Sequence, residues 1–545
     1  MTSETAPLQG RKNKPSTPRA ERLPLTWYAA IFLHYSAICL PLVFFYRHEL
    51  DADGTSYISL AQKYLAGDFS HVVAGHWAPM ISWLILPSLS LRLEPILAFR
   101  ATSYLIGVVA LLGIQRFMAE LNIARSIQAV YLFALGPIIA WHAENDLGAD
   151  LLCACILIFY VLSVARDRYA VEKHAGTRAG LLGGLAYLAK NYNFYFFALH
   201  FTSLNLYYWI KAPDAGTRKR TALNFIAGLA AFAIVSGTWV GLLSQKYHRL
   251  TAGTAGAMSL LLVKTGPDGY PMLTGGLLPP PNDTAFSVWE DPASMTLPTW
   301  SPLDSKEDFE RYLRFIPANV YRCIKGLAIN MVFALTVAYF ALKVFQKRPL
   351  DKKVAVTLFT ILLYPIGYLM LYYDGQRYIL ISTILLYVLS AYAMHSFFGT
   401  SNNARLKFCA SAALYLFLSL LTTYRVYNDY RLDVSELNKV FETSSEIERY
   451  CDIRDHNIAS LHGSWNHALD LCYFLHGRYF GRLRENESDQ ELLSDLAKYH
   501  ISYLFVFGEL KNHLDMLQRE RTFGSGADGL TIYRVQNRAL QRTHA

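Results

Sequence analysis

Charge is the scarce component of this sequence. Asp, Glu, Lys and Arg make up only 17% of the 545 residues, while 53% are hydrophobic. A soluble domain carries about 25% charged residues, so the deficit excludes an ordinary soluble chain. Cysteine is also sparse, at seven residues. Cys39, Cys153, Cys155, Cys323 and Cys409 lie in or beside apolar runs, where a thiol packs as a small hydrophobe. Cys153 and Cys155 have no other ligand types nearby, so the sequence calls for no metal and no cofactor. Cys451 and Cys472 fall in a polar tail, where a disulfide is an option if the tail lies outside the cytoplasm. No tandem repeat is visible. The net charge of +9 is carried in short basic segments between apolar runs, the pattern of cytoplasmic loops. It is therefore not a sign of nucleic-acid binding.

Long apolar runs are abundant. Spans are expected at 25–46, 96–118, 127–143, 149–165, 179–189, 192–210, 222–243, 324–345, 354–372, 378–397 and 407–424. Each approaches the length needed to cross a ~30 Å hydrocarbon core. Residues 1–24 form a basic tail with Arg11, Lys12, Lys14, Arg19 and Arg22. The run after them is too long for a cleaved leader and reads as a retained anchor with its tail inside. Basic connections follow at Arg116–Arg125, Arg166–Arg178, Lys211–Arg220, Gln346–Lys353 and around Arg405 and Lys407. If all are cytoplasmic, about eleven crossings place the N-terminus inside and the C-terminus outside. Residues 78–92 contain Pro79 and Pro87 and read as a juxtamembrane or re-entrant segment. The stretch 179–210 is either two short helices or one long helix broken around Lys190–Asn193. The transmembrane domain thus covers 25–425, with outer loops at 47–95 and 244–323, and residues 426–545 form an extracytoplasmic α/β domain. A loop of some eighty residues is too long for a plain connection and points to a lid over a substrate.

Ionisable residues near membrane depth are costly and therefore functional candidates. Four sites stand out, all on the expected outer side. Asp51 and Asp53 follow the first span and precede an amphipathic stretch with Tyr57; such a carboxylate can take a proton from an attacking group or cap a helix. Glu144, Asp146 and Asp150 lie between two spans, and Asp150 opens an apolar helix, again with capping as the competing role. Lys190 sits among aromatics, where an anionic partner such as a phosphate offsets its desolvation and snorkelling is the alternative. Arg377, followed by Tyr378, lies in a tight connection, where it pairs with Asp374 or binds an anion with both arms. Two carboxylates and two cations on one face fit a transferase with a phosphate-linked lipid donor, in which the cations hold the leaving phosphate.

The order of these features resembles the GT-C membrane glycosyltransferases, in the branch of protein O-mannosyltransferases and the lipid A aminoarabinose transferase. The resemblance spans about residues 25–400. It rests on Asp53-x-x-x-Tyr57, His76-Trp77-Ala78-Pro79, Asp150-Leu151-Leu152, the Gly-Leu-Ala-x-Leu-x-Lys hairpin ending at Lys190, and Arg377-Tyr378. It implies that Asp53 is the catalytic carboxylate and Asp150 the second acidic position. Lys190 and Arg377 would bind donor phosphate, and Asp51, Tyr57, His76, Trp77, Asp146 and Tyr378 would line the cavity. Gly54 stands where the family usually has Glu. The implied activity is inverting transfer from a polyprenyl-phosphate sugar to a lipid, glycan or protein acceptor, on the outer face of a bacterial cytoplasmic membrane. The competing classes are a transporter or lipid flippase, and a non-catalytic GT-C relative. A transporter is expected to show paired helix repeats, and none is visible.

The topology has a direct test. A periplasm-active reporter fused after residue 430 is expected to be active, and fusions after about residue 215 or 350 inactive. Activity at residue 350 would overturn the span assignment.

Overall fold

In the computed structural model the described residues are 23–399 and 438–536, apart from 267–268, 297, 299, 329–331, 374, 511–513 and 525–528, with a few isolated positions between 409 and 424. The chain is a polytopic helical membrane protein carrying a small C-terminal α/β domain. Among the described residues, six helical stretches are long and apolar enough to cross a membrane: Leu25–Phe45, Pro95–Glu120, Arg125–Glu144, Ala215–Lys246, Lys352–Leu369 and Gln376–Phe397.

Among the described residues, the expected spans at 149–165, 179–189 and 192–210 are short helices, and the one at 324–345 takes a different form. The 149–165 run is the helix Asp150–Ala165. Its 16 residues rise only ~24 Å, but it is buried along nearly its whole length by neighbouring helices, so bilayer thickness does not set its length. The 179–210 stretch is two helices, Ala175–Ala189 and Asn193–Ile210, broken at Lys190 in an extended conformation. The 324–345 run belongs to two helices, Lys306–Ala328 and Val332–Phe345. The first of these begins in the charged stretch Lys306-Glu307-Asp308 and has an amphipathic rather than uniformly apolar pattern. The expected span at 407–424 lies almost wholly outside the described residues.

Residues 78–92 form the short helix Met80–Ser90, which packs beside the helix Ala52–Ala66. That helix is amphipathic, with Tyr57, Ile58, Leu60 and Ala61 buried, and it stops at Gly67, which adopts a left-handed φ of 76°. The long loop is not bare. It contains Ala255–Thr265 and short turns at Pro271–Thr274, Val288–Glu290 and Pro292–Ser294.

The C-terminal domain is a five-stranded sheet of β1 (Asn457–Leu461), β2 (Arg478–Arg482), β3 (Tyr503–Phe507), β4 (Leu517–Phe523) and β5 (Leu530–Val535), in the order β2-β1-β3-β5-β4. β2, β1 and β3 are parallel, and β5 and β4 continue antiparallel. Helices Lys439–Glu448, Trp465–Phe474 and Asp489–Lys498 accompany it. Cys451 and Cys472 are buried and unbonded. The long loop runs along the open edge of β2. Leu278 N donates to Phe480 O (2.7 Å) and Tyr479 N to Phe286 O (2.9 Å), while Arg482 Nη2 donates to Leu273 O (3.1 Å). Loop and tail thus sit together at one end of the bundle.

The helix that ends at Lys190 is set by glycine. A Cβ on Gly176 would lie 1.7 Å from Asn224 O, and one on Gly180 only 2.0 Å from Gly228 O. The spacing of four puts both on one face, so two helices approach to backbone contact. Gly180→Ala is therefore expected to cost ~1–3 kcal/mol. Gly237→Ala, on the partner helix with nothing within 4 Å of its added Cβ, is expected to be neutral or stabilising. Thermal unfolding in detergent compares the two, and equal midpoints would refute the close approach.

Candidate functional site

The acidic segments at 49–53 and 144–150 are far apart in sequence but clipped together. Arg100 is fully buried. Its Nη2 donates to Glu49 O (2.8 Å) and its Nη1 to Glu144 O. Asp51 adds a second clip. Its Oδ1 accepts from Gly54 N at 2.5 Å, capping the helix Ala52–Ala66, and its Oδ2 accepts from Leu147 N at 3.3 Å. Burial, with Asp53 beside it, pushes the Asp51 carboxyl up to about 6. The capping role thus belongs to Asp51 and leaves Asp53 free for other partners. Gly54 has a packing reason as well. A Cβ there would lie 2.6 Å from Leu147 Cβ, so the segment that carries Asp150 excludes a side chain at this position.

Asp53 sits in the first turn of that helix. Its Oδ2 accepts from Arg377 Nη2 at 2.8 Å and its Oδ1 from Trp289 Nε1 at 3.3 Å. Arg377 Nε lies 4.0 Å from Asp150 Oδ2. The other Asp150 oxygen accepts from Lys190 Nζ. Asp150 opens its helix without a side-chain capping bond, so its carboxylate is committed to the two cations. Lys190 Nζ also stands 4.2 Å over the Tyr378 ring, a cation–π contact. Four charges form one alternating chain, Asp53–Arg377–Asp150–Lys190. All four line a single cavity of about 640 Å³.

Tyr57, His76, Trp77 and Tyr378 line the same cavity. Burial pushes the His76 imidazole down to about 4, so it is neutral at physiological pH. Asp51 and Asp146 do not reach the cavity wall. Asp146 points to His142 Nδ1 (3.4 Å) and Asn145 Nδ2 (3.3 Å). Asp374 lies outside the described residues.

Two wall residues escaped the sequence reading. Asn191 donates through Nδ2 to Gly75 O (2.9 Å), while its buried Oδ1 has no hydrogen-bond partner among the described residues. It offers an acceptor to a ligand hydroxyl. Trp289 comes from the long loop and is fixed from both sides. On one side Glu290 accepts from Lys63 Nζ and, at 2.5 Å, from Ser59 Oγ. On the other, Asp291 Oδ2 forms an ion pair with Lys246 Nζ (2.6 Å) and its Oδ1 accepts from Tyr247 Oη (2.7 Å). Trp77 Nε1 donates to Trp289 O at 2.9 Å. The only hint in the sequence was the Glu290-Asp291 pair after Trp289, which has no periodicity to place it.

No protein-family model matches the sequence, and no curated protein matches it. Solved structures do match the fold. ArnT from Cupriavidus metallidurans in the apo state is similar with a TM-score of 0.55, over 94% of this chain and 98% of that one, at 12% identity. The same protein bound to undecaprenyl phosphate gives 0.53, over 94% and 99%, at 11% identity. The apo Archaeoglobus fulgidus oligosaccharyltransferase gives 0.50, over 88% and 69%, at 11% identity. The mycobacterial arabinofuranosyltransferase AftD gives 0.51 over 95% of this chain at 12% identity, and this chain spans only 40% of it. The chain therefore shares its fold with these membrane transferases.

Lys63 and Glu290 are 5% and 2% exposed, so removing one partner strands a buried charge. Lys63→Met is expected to cost ~3–5 kcal/mol and to release the turn that carries Trp289. Lys63→Met with Glu290→Gln is expected to recover part of that loss. Limited proteolysis within 270–300 reads the release. Unchanged cleavage in the single variant would show that the pair does not hold the turn.

Proposed function

We propose that this chain is a GT-C-type glycosyltransferase that moves a sugar from a polyprenyl-phosphate donor to a lipid, glycan or protein acceptor, with inversion. The observation that carries the reading is the convergence of Lys190 and Arg377 with Asp53 and Asp150 in one cavity. A low-dielectric cavity tolerates two cations only with counter-charges, and here Asp53 and Asp150 supply them. A phosphate can replace those contacts with charge-assisted bonds from the guanidinium and the ammonium.

The acceptor hydroxyl or amine attacks the anomeric carbon from the side opposite the phosphate. The bond from that carbon to the phosphate oxygen breaks, and its electron pair leaves with the polyprenyl phosphate. Asp53, freed from Arg377 as the phosphate arrives, takes the acceptor's proton. Lys190 and Arg377 stabilise the charge that grows on the leaving oxygen. Trp289 and Trp77 wall the sugar, and Asn191 Oδ1 accepts from one of its hydroxyls. The ArnT complex with undecaprenyl phosphate supports a donor of this class. The loop lines the cavity through Tyr270 and Trp289 and is bonded to β2 of the C-terminal domain, which supports placing 244–323 and the tail, with 47–95, on one outer face. In this reading the chain is a multi-pass protein of a bacterial cytoplasmic membrane, with its N-terminus inside and C-terminus outside.

Asp53→Asn is expected to lower turnover by ~10²–10⁴-fold without weakening donor binding, because Arg377 then has one carboxylate fewer to leave. Asp51→Asn keeps the cap and is expected to be mild. Lys190→Ala is expected to weaken donor binding. Radiolabelled sugar transfer and polyprenyl-phosphate binding separate these effects. If Asp51→Asn is inactive while Asp53→Asn turns over normally, the base is Asp51. If both remain active, Asp150 takes that role.

A further inference from the structure

The opposite end of the bundle carries a second lined cavity, of about 280 Å³. This is close to the ~300 Å³ lower end of small-ligand sites. Tyr28, Leu112, Gln115, Arg116, Glu120 and Arg166 contribute to it, from three helices that begin or end there. Arg166 follows the helix that Asp150 opens, so a whole helix length separates this cavity from the candidate active site.

The cavity holds two arginines whose side chains make no ion pair among the described residues. Arg116 and Arg166 have no side-chain hydrogen bond or ion pair among the described residues, and Arg166 Nε is buried without a partner. The acidic residue of the wall, Glu120, is already taken. Its Oε1 lies 3.3 Å from Lys353 Nζ, which also lies 3.0 Å from Asp167 Oδ2. Lys352 Nζ stays on the Arg166 carbonyl at 3.3 Å. The polar wall is fixed in advance. Tyr28 Oη donates to Gln115 Oε1 (2.7 Å), Gln115 Nε2 to Gln128 Oε1 (3.0 Å), and Gln128 Nε2 to Ile123 O (2.6 Å).

An apolar track leaves this cavity toward the membrane centre. Leu112, Val109 and Leu105 are 48%, 45% and 61% exposed, and with Arg116 they follow a spacing of four, three and four on one helix face. Such a face, exposed on a membrane helix, contacts acyl chains. Two unpaired guanidiniums at the head of an apolar track match one ligand chemistry, a phosphodiester head group with its acyl chain attached. Basic cavities between membrane helices at the basic-loop side hold anionic lipids in this way.

We propose that Arg116 and Arg166 form a structural binding site for an anionic phospholipid. The phosphate sits between the two guanidiniums, and one acyl chain lies along Leu112, Val109 and Leu105. The site is separate from the donor cavity, and the proposal does not depend on the proposed transfer reaction.

The test uses the full-length protein, purified in detergent and offered phosphatidylglycerol or phosphatidylcholine of identical chains, with native mass spectrometry counting retained lipid. Phosphatidylglycerol is expected to be retained preferentially. Arg116→Gln with Arg166→Gln is expected to weaken that retention at least about tenfold, as for the loss of a charge-assisted hydrogen bond. Arg116→Gln alone, at an exposed position, is expected to show part of the loss with an unchanged thermal unfolding midpoint. Preference unchanged in both variants would overturn the site. A third arm adds inorganic phosphate at matched concentration. Displacement of the lipid by phosphate at that concentration would make this a free-anion site and overturn the lipid assignment.

Discussion

Arg377 is held between two carboxylates, Asp53 at 2.8 Å and Asp150 at 4.0 Å. One sits in the first turn of the helix Ala52–Ala66 and the other opens the helix Asp150–Ala165, while Arg377 lies at the start of the stretch Gln376–Phe397. Lys190 extends the chain at its far end. The constraint is electrostatic: a cation in a cavity lined largely by aromatic rings needs a fixed counter-charge, and each of the four has one.

The scaffold meets that constraint with backbone contacts more than with side-chain bulk. Arg100 spends its guanidinium on the carbonyls of Glu49 and Glu144, and Asp51 bonds both its own helix and Leu147. These clips lock the Asp53 segment to the Asp150 segment. Gly176 and Gly180 bring the helix that ends at Lys190 against its neighbour. The long loop reaches the cavity through Trp289, and β2 of the tail holds that loop along its edge. The tail therefore acts on the site at one remove, by ordering the loop.

Much of this was legible in the sequence, for a physical reason. Asp53, Asp150, Lys190 and Arg377 are charges at the ends of apolar runs, and such charges stand out wherever a chain is poor in them. The C-terminal strands β1, β3 and β5 are also readable as short apolar runs. β2 and β4 are not, because Arg478, Arg482, Arg519 and Arg521 break their pattern. The division of labour between Asp51 and Asp53 turns on a helix start placed to within two residues, which spacing does not resolve. Asp146 carries the same residue type and neighbourhood as Asp150, yet it turns to His142, because only Asp150 begins a helix beside Lys190. Trp289 and Asn191 depend on long-range packing and leave no local signature. The break at Lys190 and the helix that starts at Lys306 likewise follow from tertiary placement.

The central claim is that the charge chain opens onto a phosphate and releases it without its sugar. Purified protein in proteoliposomes, given a polyprenyl-phosphate sugar labelled in both the lipid and the sugar, measures this directly. The account predicts acceptor-dependent release of free polyprenyl phosphate with the sugar label moved to the acceptor, and none with Asp53→Asn. Recovery of intact donor that has moved from one leaflet to the other, with no free polyprenyl phosphate, would contradict it.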